Sequence, residues 1–164
     1  MSINIGIIDS RIRKLALDLA DELDNRLNFR GNAAKAHSAL FVFLVVKTLL
    51  DLSDEDALDC LTEGGNDFGI DAVHIGDVEE GEFVVTLVQG KYKLGLRGDA
   101  NFPQTGVEKA IQAIRYLFDP DATITTNSNL TRRLEEIRSL VRDGHIPLVR
   151  CVLCNNGLPW NQIS

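Results

Sequence analysis

Apolar positions recur every three or four residues in the first third of the chain, which predicts helices. The first is expected to begin at a Ser10 cap and to end at Gly31-Asn32. Its apolar face comprises Ile12, Leu15, Ala16, Leu19, Leu23 and Leu27. A second helix is predicted over 33–50, and its middle is apolar on all sides, so we expect it to be buried. A short third helix is predicted from Ser53 to the glycines at 64–65, with acids in its first turn.

The apolar period then shortens to that of strands. Residues 70–75 and 83–92 are rich in β-branched and apolar side chains, and the acidic, glycine-bounded segment 76–81 separates them. This pattern predicts an antiparallel hairpin.

Two further helices and a strand complete the predicted elements. One helix begins at Pro103, and the other is capped by Asn127 or Ser128 and stopped by Gly144. A last apolar strand covers 146–154. This order predicts an α/β or α+β fold in which helices flank a small mixed sheet.

The chain length fits a single domain. With 164 residues and 18.1 kDa, we expect a helical N-terminal part over 1–63 and a hairpin with an α/β core over 64–154. The last ten residues contain no closing element. We therefore expect the chain to be the N-terminal part of a longer protein, with a natural ordered tail as the alternative.

Composition narrows the classes of protein. The chain is 45% hydrophobic and 25% charged, which excludes disordered, collagen-like and coiled-coil classes. Its net charge of −7 argues against a broad basic nucleic-acid surface, but not against a local basic strip beside a metal. The most apolar stretch, 39–46, is shorter than the roughly 20 residues of a bilayer span. We predict a cytoplasmic protein without a signal peptide or membrane attachment.

The three cysteines give no even-numbered disulfide framework. Cys151 and Cys154 are three residues apart, so a strand would place their thiols on opposite faces. No second pair lies at metal-ligand spacing. We therefore predict reduced core cysteines rather than a zinc site or a redox pair.

Candidate chemistry concentrates at the expected hairpin. Asp71 lies near the start of its first strand, while Gln89 and Lys91 share a face near the end of the second. The hairpin brings these side chains together. Asp71, the Gln89 side-chain oxygen and the Gly90 carbonyl suit Mg²⁺. Lys91 can orient or deprotonate a water that attacks a phosphodiester.

Neighbouring residues extend this hypothesis. Lys91, Lys93 and Arg97 form a basic strip suited to phosphate contacts, although an ordinary solvated loop has the same composition. Asp67 either supports the site from behind Asp71 or only shapes the turn. The plain alternative for the whole set is an exposed Asp71–Lys91 ion pair with a solvated Gln89, which would contribute about 0–1 kcal/mol.

The segments Asp-Phe-Gly-Ile-Asp-Ala (67–72) and Val-Gln-Gly-Lys-Tyr (88–92) resemble the PD-(D/E)XK, restriction-endonuclease-like nuclease superfamily. The resemblance is to its Mrr-like branch, and most of all to the N-terminal nuclease domain of AIPR (abortive infection, phage resistance) proteins. It is sharp over 62–93 and looser over the later helices and last strand.

The resemblance implies an α-β-β-β-α-β core and Mg²⁺- or Mn²⁺-dependent cleavage of DNA in prokaryotic phage defence. Asp71 matches the family's acid and Lys91 its lysine. Gln89 takes a position often held by Glu or Asp, a replacement usual in the Mrr-like branch.

The sequence also departs from the family. Many relatives add a metal-binding Glu from an early helix, but the corresponding residues 35–38 are Lys-Ala-His-Ser. Glu22 and Glu63 are the remaining candidates. The alternatives are a catalytically inactive module for nucleic-acid or protein interaction, and an assembly domain with the second helix at a subunit interface. We expect DNA as the partner, held weakly by this chain alone, and leave a homodimer open.

Overall fold

The computed structural model describes residues 3–64, 67–95, 100–119 and 125–158. The fold is α+β, which confirms the predicted class. The described elements, in chain order, are α1 (Ile3–Asp18), α2 (Ala20–Leu27), α3 (Ala33–Leu50), α4 (Asp54–Asp59), β1 (Ala72–Ile75), β2 (Glu82–Lys91), α5 (Gln104–Leu117), α6 (Ser128–Arg142) and β3 (Ile146–Asn155).

The sheet is small and mixed, with strand order β1-β2-β3. The antiparallel pairing of β1 with β2 sets Ala72 opposite Val88 and confirms the predicted hairpin. The parallel pairing of β2 with β3 sets Gly90 opposite Cys154.

One strand implied by the family resemblance is reduced to an isolated bridge between Leu61 and Ala72 in the described part of the chain. The amides of Thr62 and Glu63 both donate to the Asp71 carbonyl, at 2.9 and 3.2 Å. Because two successive amides converge on one carbonyl, the alternating ladder of a strand ends there.

Helices cover both faces of the sheet. Helix α3 is the centre of one core, and its buried side chains include Leu40, Val42, Phe43 and Val46, as its apolar middle predicted. Helices α5 and α6 bury a second core against Phe83, Val85 and Leu87 of β2. Val88 belongs to the first core, so successive residues of β2 alternate between the two layers.

The predicted first helix is wrong at its start and in its continuity. Ser10 lies inside α1 rather than at its cap, and Ile8 packs into the first core. The helix bends at Leu19, whose φ of −115° and ψ of 14° depart from helical values. Leu19 still donates to Leu15 and accepts from Leu23, so the chain turns without losing its hydrogen bonds.

The predicted end of the third helix is also wrong. Helix α4 begins after the Ser53 cap as predicted, but it ends at Asp59 rather than at the glycines. The amide of Val73 donates to the Cys60 carbonyl at 2.8 Å. Pairing with the hairpin therefore takes over the backbone directly after Asp59.

The apolar part of helix α3 is longer than the stretch 39–46 that the sequence singled out. Over its 18 residues the mean hydropathy is 1.6, and by length and composition alone it could cross a membrane. A third of it is buried in the protein, and a buried core helix meets the same criterion.

The prediction of core cysteines is wrong for Cys151. Cys60 is buried, Cys154 is half-buried and Cys151 is exposed. Cys151 lies on β3, an edge strand of the described sheet whose first half is little covered by the rest of the protein. Residues 148–151 are all exposed.

Candidate active site

A cleft of about 390 Å³ lies at the end of the hairpin where β1 begins and β2 ends. It collects most of the residues that the sequence singled out. Its lining includes Glu63, Asp67, Asp71, Gln89, Gly90, Lys91, Lys93, Lys109, Asn155 and Asn156.

Asp71 is fixed in this cleft by the hairpin itself. Its backbone N–H donates to the Val88 carbonyl at 2.8 Å, and its carboxylate accepts the Gly90 N–H at 2.7 Å. Burial raises the pKa of Asp71 to about 6, although the Gly90 N–H and the charge of Lys91 oppose the rise, and Asp67 adds to it. This carboxyl is 7% exposed, so its charge is costly without a cation.

Glu63 is the second carboxylate of the cleft. It stands beside Asp71 because its amide bonds the Asp71 carbonyl. Burial and the negative charge of Asp71 raise the pKa of Glu63 to about 8, against an opposing hydrogen bond from Ser38. Its Oε2 atom is buried and has no hydrogen-bond partner among the described residues.

Glu22, the other fallback ligand, lies elsewhere. It is on α2, where its carboxylate pairs with Arg26 at 3.0 Å and its side chain is 41% exposed. The structure therefore brings Glu63, and not Glu22, to Asp71.

Gln89 is buried rather than solvated, which contradicts the plain alternative of an exposed hairpin pair. It is 2% exposed, and neither amide atom has a hydrogen-bond partner in the described part of the chain. Gly69 makes room for it, because a Cβ there would lie 2.9 Å from Gln89 Nε2.

Lys91 and Lys93 are exposed and line the same cleft. Within the described ranges neither forms an ion pair within 4.0 Å, so Lys91 does not pair with Asp71. Arg97, the third member of the predicted strip, lies outside the described residues.

Asp67 shapes the turn and also lines the cleft. Its carboxylate accepts the Gly64 N–H at 3.2 Å and the Gly69 N–H at 2.8 Å. Its charge contributes to the raised pKa values of Glu63 and Asp71. Asp67 therefore shapes the turn and adds negative charge to the cleft.

Sequence reasoning missed Lys109 and gave Glu63 only a secondary place. Lys109 reaches the cleft from α5, and no short motif links it to the hairpin. The position of Glu63 directly before the glycine-rich turn could have marked it as a stronger site candidate. Its contact with Asp71, however, depends on backbone pairing.

The donor set of the cleft fits Mg²⁺. The described residues hold no group of three or more His, Cys, Asp or Glu side chains that could bind a metal. Mg²⁺, however, binds through one or two carboxylates and keeps several waters. Asp71 and Glu63 supply the carboxylates. The unpartnered oxygens of Glu63 and Gln89 would each gain a partner whose lack costs about 1–3 kcal/mol.

Comparison with known proteins returned no relative: no protein-family model, curated protein or solved structure matches the chain. The geometry of the cleft therefore carries the functional argument.

Proposed function

We propose that this chain is a Mg²⁺-dependent nuclease domain that hydrolyses DNA phosphodiester bonds, of the PD-(D/E)XK type and similar to AIPR nuclease domains. The observation that carries the proposal is a pair of adjacent carboxylates, the buried Asp71 and the half-buried Glu63, which line one cleft with the unpartnered Gln89 oxygen and with Lys91. Within the described ranges neither carboxylate forms an ion pair within 4.0 Å, and both line the cleft.

Each residue has a role that follows from its place. Asp71, Glu63 and the Gln89 oxygen would hold Mg²⁺, with the Gly90 carbonyl as a further donor, and Mn²⁺ could substitute. When bound, the metal supplies Lewis acidity and a more acidic water. The Gly90 N–H keeps the Asp71 carboxylate in place. Lys91, exposed at the cleft, can orient the attacking water and offset charge on the phosphate.

The direct test is cleavage of plasmid DNA with Mg²⁺ or Mn²⁺. The wild type is compared with Asp71→Asn, Lys91→Ala and the control Lys14→Ala, whose residue lies on α1 and is exposed. We expect the first two variants to lose about 100-fold or more in rate, a typical contribution of a residue that acts on a proton or a charge in the reaction. The control should keep the wild-type rate.

Two results would contradict the proposal. Equal cleavage by all four proteins would contradict the assignment of Asp71 and Lys91 to the active site. A wild type that cuts neither DNA nor RNA, and whose melting temperature Mg²⁺ leaves unchanged, would instead favour a catalytically inactive interaction module.

The proposed biological role is prokaryotic phage defence in the cytoplasm. It rests on the resemblance of segments 67–72 and 88–92. A bacterium that expresses the wild type should show a lower phage plating efficiency than one that expresses Asp71→Asn at equal protein level. Equal plating would remove this role and leave the nuclease chemistry untouched.

A further inference from the structure

Three lysines line the cleft together, and they differ in their surroundings from the paired basic residues of the helices. On helices α2, α3 and α6, the basic residues Arg26, Lys47, Arg132, Arg133 and Arg138 pair with acids. Three lysines of the cleft, Lys91, Lys93 and Lys109, have no ion-pair partner among the described residues. The same cleft also holds the acids Glu63, Asp67 and Asp71. What singles out the three lysines is that they line one cleft, where their summed positive charge attracts an anion.

Lys109 brings positive charge to the cleft from a different element than the other two. It lies on α5, whereas Lys91 ends β2 and Lys93 follows it. The stem of Lys109 runs close to the turn that precedes Asp71. A Cβ at Gly69 would lie 3.4 Å from Lys109 Cβ and 3.6 Å from its Cδ. The Lys109 stem therefore packs beside the turn that contains Gly69, two residues before Asp71.

The segment that bears Lys93 is held firmly. The buried Asn156 accepts the Lys93 N–H at 3.1 Å and donates to the Lys93 carbonyl at 2.8 Å. Asp9, also buried, accepts the Tyr92 hydroxyl at 2.6 Å and the Gly95 N–H at 2.9 Å. The Tyr92 ring stacks on Phe41. A basic segment fixed by four hydrogen bonds presents its charges in a defined place, which reduces the entropy lost on binding.

We propose that the cleft takes a phosphodiester chain over more than one phosphate, and that Lys109 binds a phosphate other than the one attacked beside Lys91. The inference rests on the proposed nuclease function and deepens it. The substrate is a polynucleotide chain rather than a mononucleotide or a small phosphate ester. Cations from two elements are needed because successive phosphates along a strand lie several ångströms apart.

The test measures binding of a fluorescent DNA duplex with Ca²⁺ in place of Mg²⁺, over a series of salt concentrations. We compare wild type, Lys109→Ala, Lys109→Arg and the charge-matched control Lys14→Ala. The logarithm of the binding constant falls linearly with the logarithm of the salt concentration, and losing one phosphate contact makes this slope shallower by about 0.9. At 0.1 M salt the loss weakens binding roughly eightfold. We expect this for Lys109→Ala alone, with Lys109→Arg close to wild type.

Cleavage kinetics add a second readout. Lys109→Ala should raise the KM for DNA and largely keep kcat, whereas Lys91→Ala should lower kcat. A Lys109→Ala protein with wild-type slope, affinity and KM would overturn this inference, and the loss of cleavage in Asp71→Asn would still support the nuclease. Failure of the wild type to bind or cut DNA would instead remove the proposed function itself.

Discussion

Glu63 is a half-buried residue whose place in the cleft is set by backbone hydrogen bonding. Its backbone bonds the Asp71 carbonyl, and this contact sets two acids side by side in a cleft. Burial and the charge of Asp71 raise the pKa of Glu63 from 4.5 to about 8. At neutral pH the metal-free protein therefore holds a proton on Glu63 that the unfolded chain has already released.

We expect Glu63→Gln to stabilise the metal-free protein at alkaline pH. Because the folded protein binds the extra proton, the contribution of Glu63 to stability is fully present below pH 4.5. This contribution is lost as the pH rises toward 8. Glutamine does not ionise, so it avoids this loss. In thermal melts, the variant should exceed the wild type at pH 8 and match it near pH 4.

The exposed Glu22→Gln serves as the control and should change the melting temperature little at either pH. Adding Mg²⁺ at pH 8 should raise the wild-type melting temperature and affect Glu63→Gln less. A wild-type advantage over the variant in metal-free buffer at pH 8 would contradict the raised pKa.

Gly90 lets β2 approach α3 closely. A Cβ at this position would lie 2.5 Å from Val42 Cγ2, and Val42 is completely buried. A β-branched side chain in a helix has one strongly preferred rotamer, so it yields little. The close approach thus requires glycine here.

We expect Gly90→Ala to lower the free energy of unfolding by about 1–3 kcal/mol through overpacking. Gly6→Ala is the matched control, since a Cβ there has nothing within 4 Å and Gly6 lies inside α1. It should raise the free energy of unfolding by about 0.5–1 kcal/mol. Urea denaturation measures both, and equal effects would show that β2 and α3 are not in close contact.

At the level of elements, Asp59 connects three helices. From the end of α4 its carboxylate reaches Arg132 and Arg133 of α6 at 2.9 and 2.6 Å, and Arg26 of α2 at 3.8 Å. Burial alone would raise the pKa of Asp59. The hydrogen bond from Arg132 and the charges of the three arginines outweigh it, and the pKa is lowered.

We expect Asp59→Asn to lower the free energy of unfolding at pH 7 by about 1 kcal/mol. The side chain of Asp59 is 42% exposed, so solvent screens part of the interaction. Its partner Arg133 is 10% exposed and would lose one of its two acids. Because the folded pKa is lowered, the contribution exists above the ordinary pKa of 3.8 and disappears as pH falls below it.

Denaturation of Asp59→Asn at pH 7 and pH 3 measures this difference. Glu136→Gln removes the other partner of Arg133, at the exposed surface, and should have a smaller effect. Equal stability of Asp59→Asn and wild type at pH 7 would mean that the arginines find other partners.

Helix starts were predictable at α3, α4 and α6, whereas the local signals at Ser10 and at the glycines 64–65 were misleading. The side chains of Asn32, Ser53 and Asn127 accept backbone N–H groups at the starts of α3, α4 and α6, as caps of these residue types do. The hairpin followed from the change of period. The bend at Leu19 has no glycine or proline to announce it, so local sequence could not predict it.

The sequence predicted correctly which residues lie together where the hairpin alone decides the geometry. Asp71, Gln89 and Lys91 meet because an antiparallel pair brings them together. Glu63 and Lys109 join them through pairing of the segment after α4 and through the packing of α5, and neither leaves a short-range pattern. The exposure of Cys151 likewise depends on how far the helices cover β3, which no local pattern announces.

At the scale of the whole molecule, the layers decide which thiols can react. Burial raises the pKa of Cys60 to about 11, and burial together with the charge of Asp71 raises the pKa of Cys154 to about 12. Burial also raises the pKa of Cys151, but this thiol belongs to an exposed residue of β3. Thiolate reactivity falls with burial and with a raised pKa.

We therefore expect a maleimide to label Cys151 of the native protein first, and the other two only after unfolding. Mass spectrometry of the modified peptides measures the order. In Cys151→Ser the fast label should disappear. Rapid labelling of Cys60 or Cys154 in the folded protein would contradict the layered arrangement.

The edge strand β3 also has features that oppose aggregation. The amide of Ile146 donates inward to Gly81, so in the alternating pattern of a strand the backbone of residues 147, 149, 151 and 153 is directed away from β2. The first of these is Pro147, which has no N–H to offer, and the charged Arg150 interrupts the exposed apolar run. Proline and a charge on an edge oppose pairing with a strand of another molecule. Pro147 and Arg150 therefore oppose aggregation of the protein through this exposed edge of the sheet.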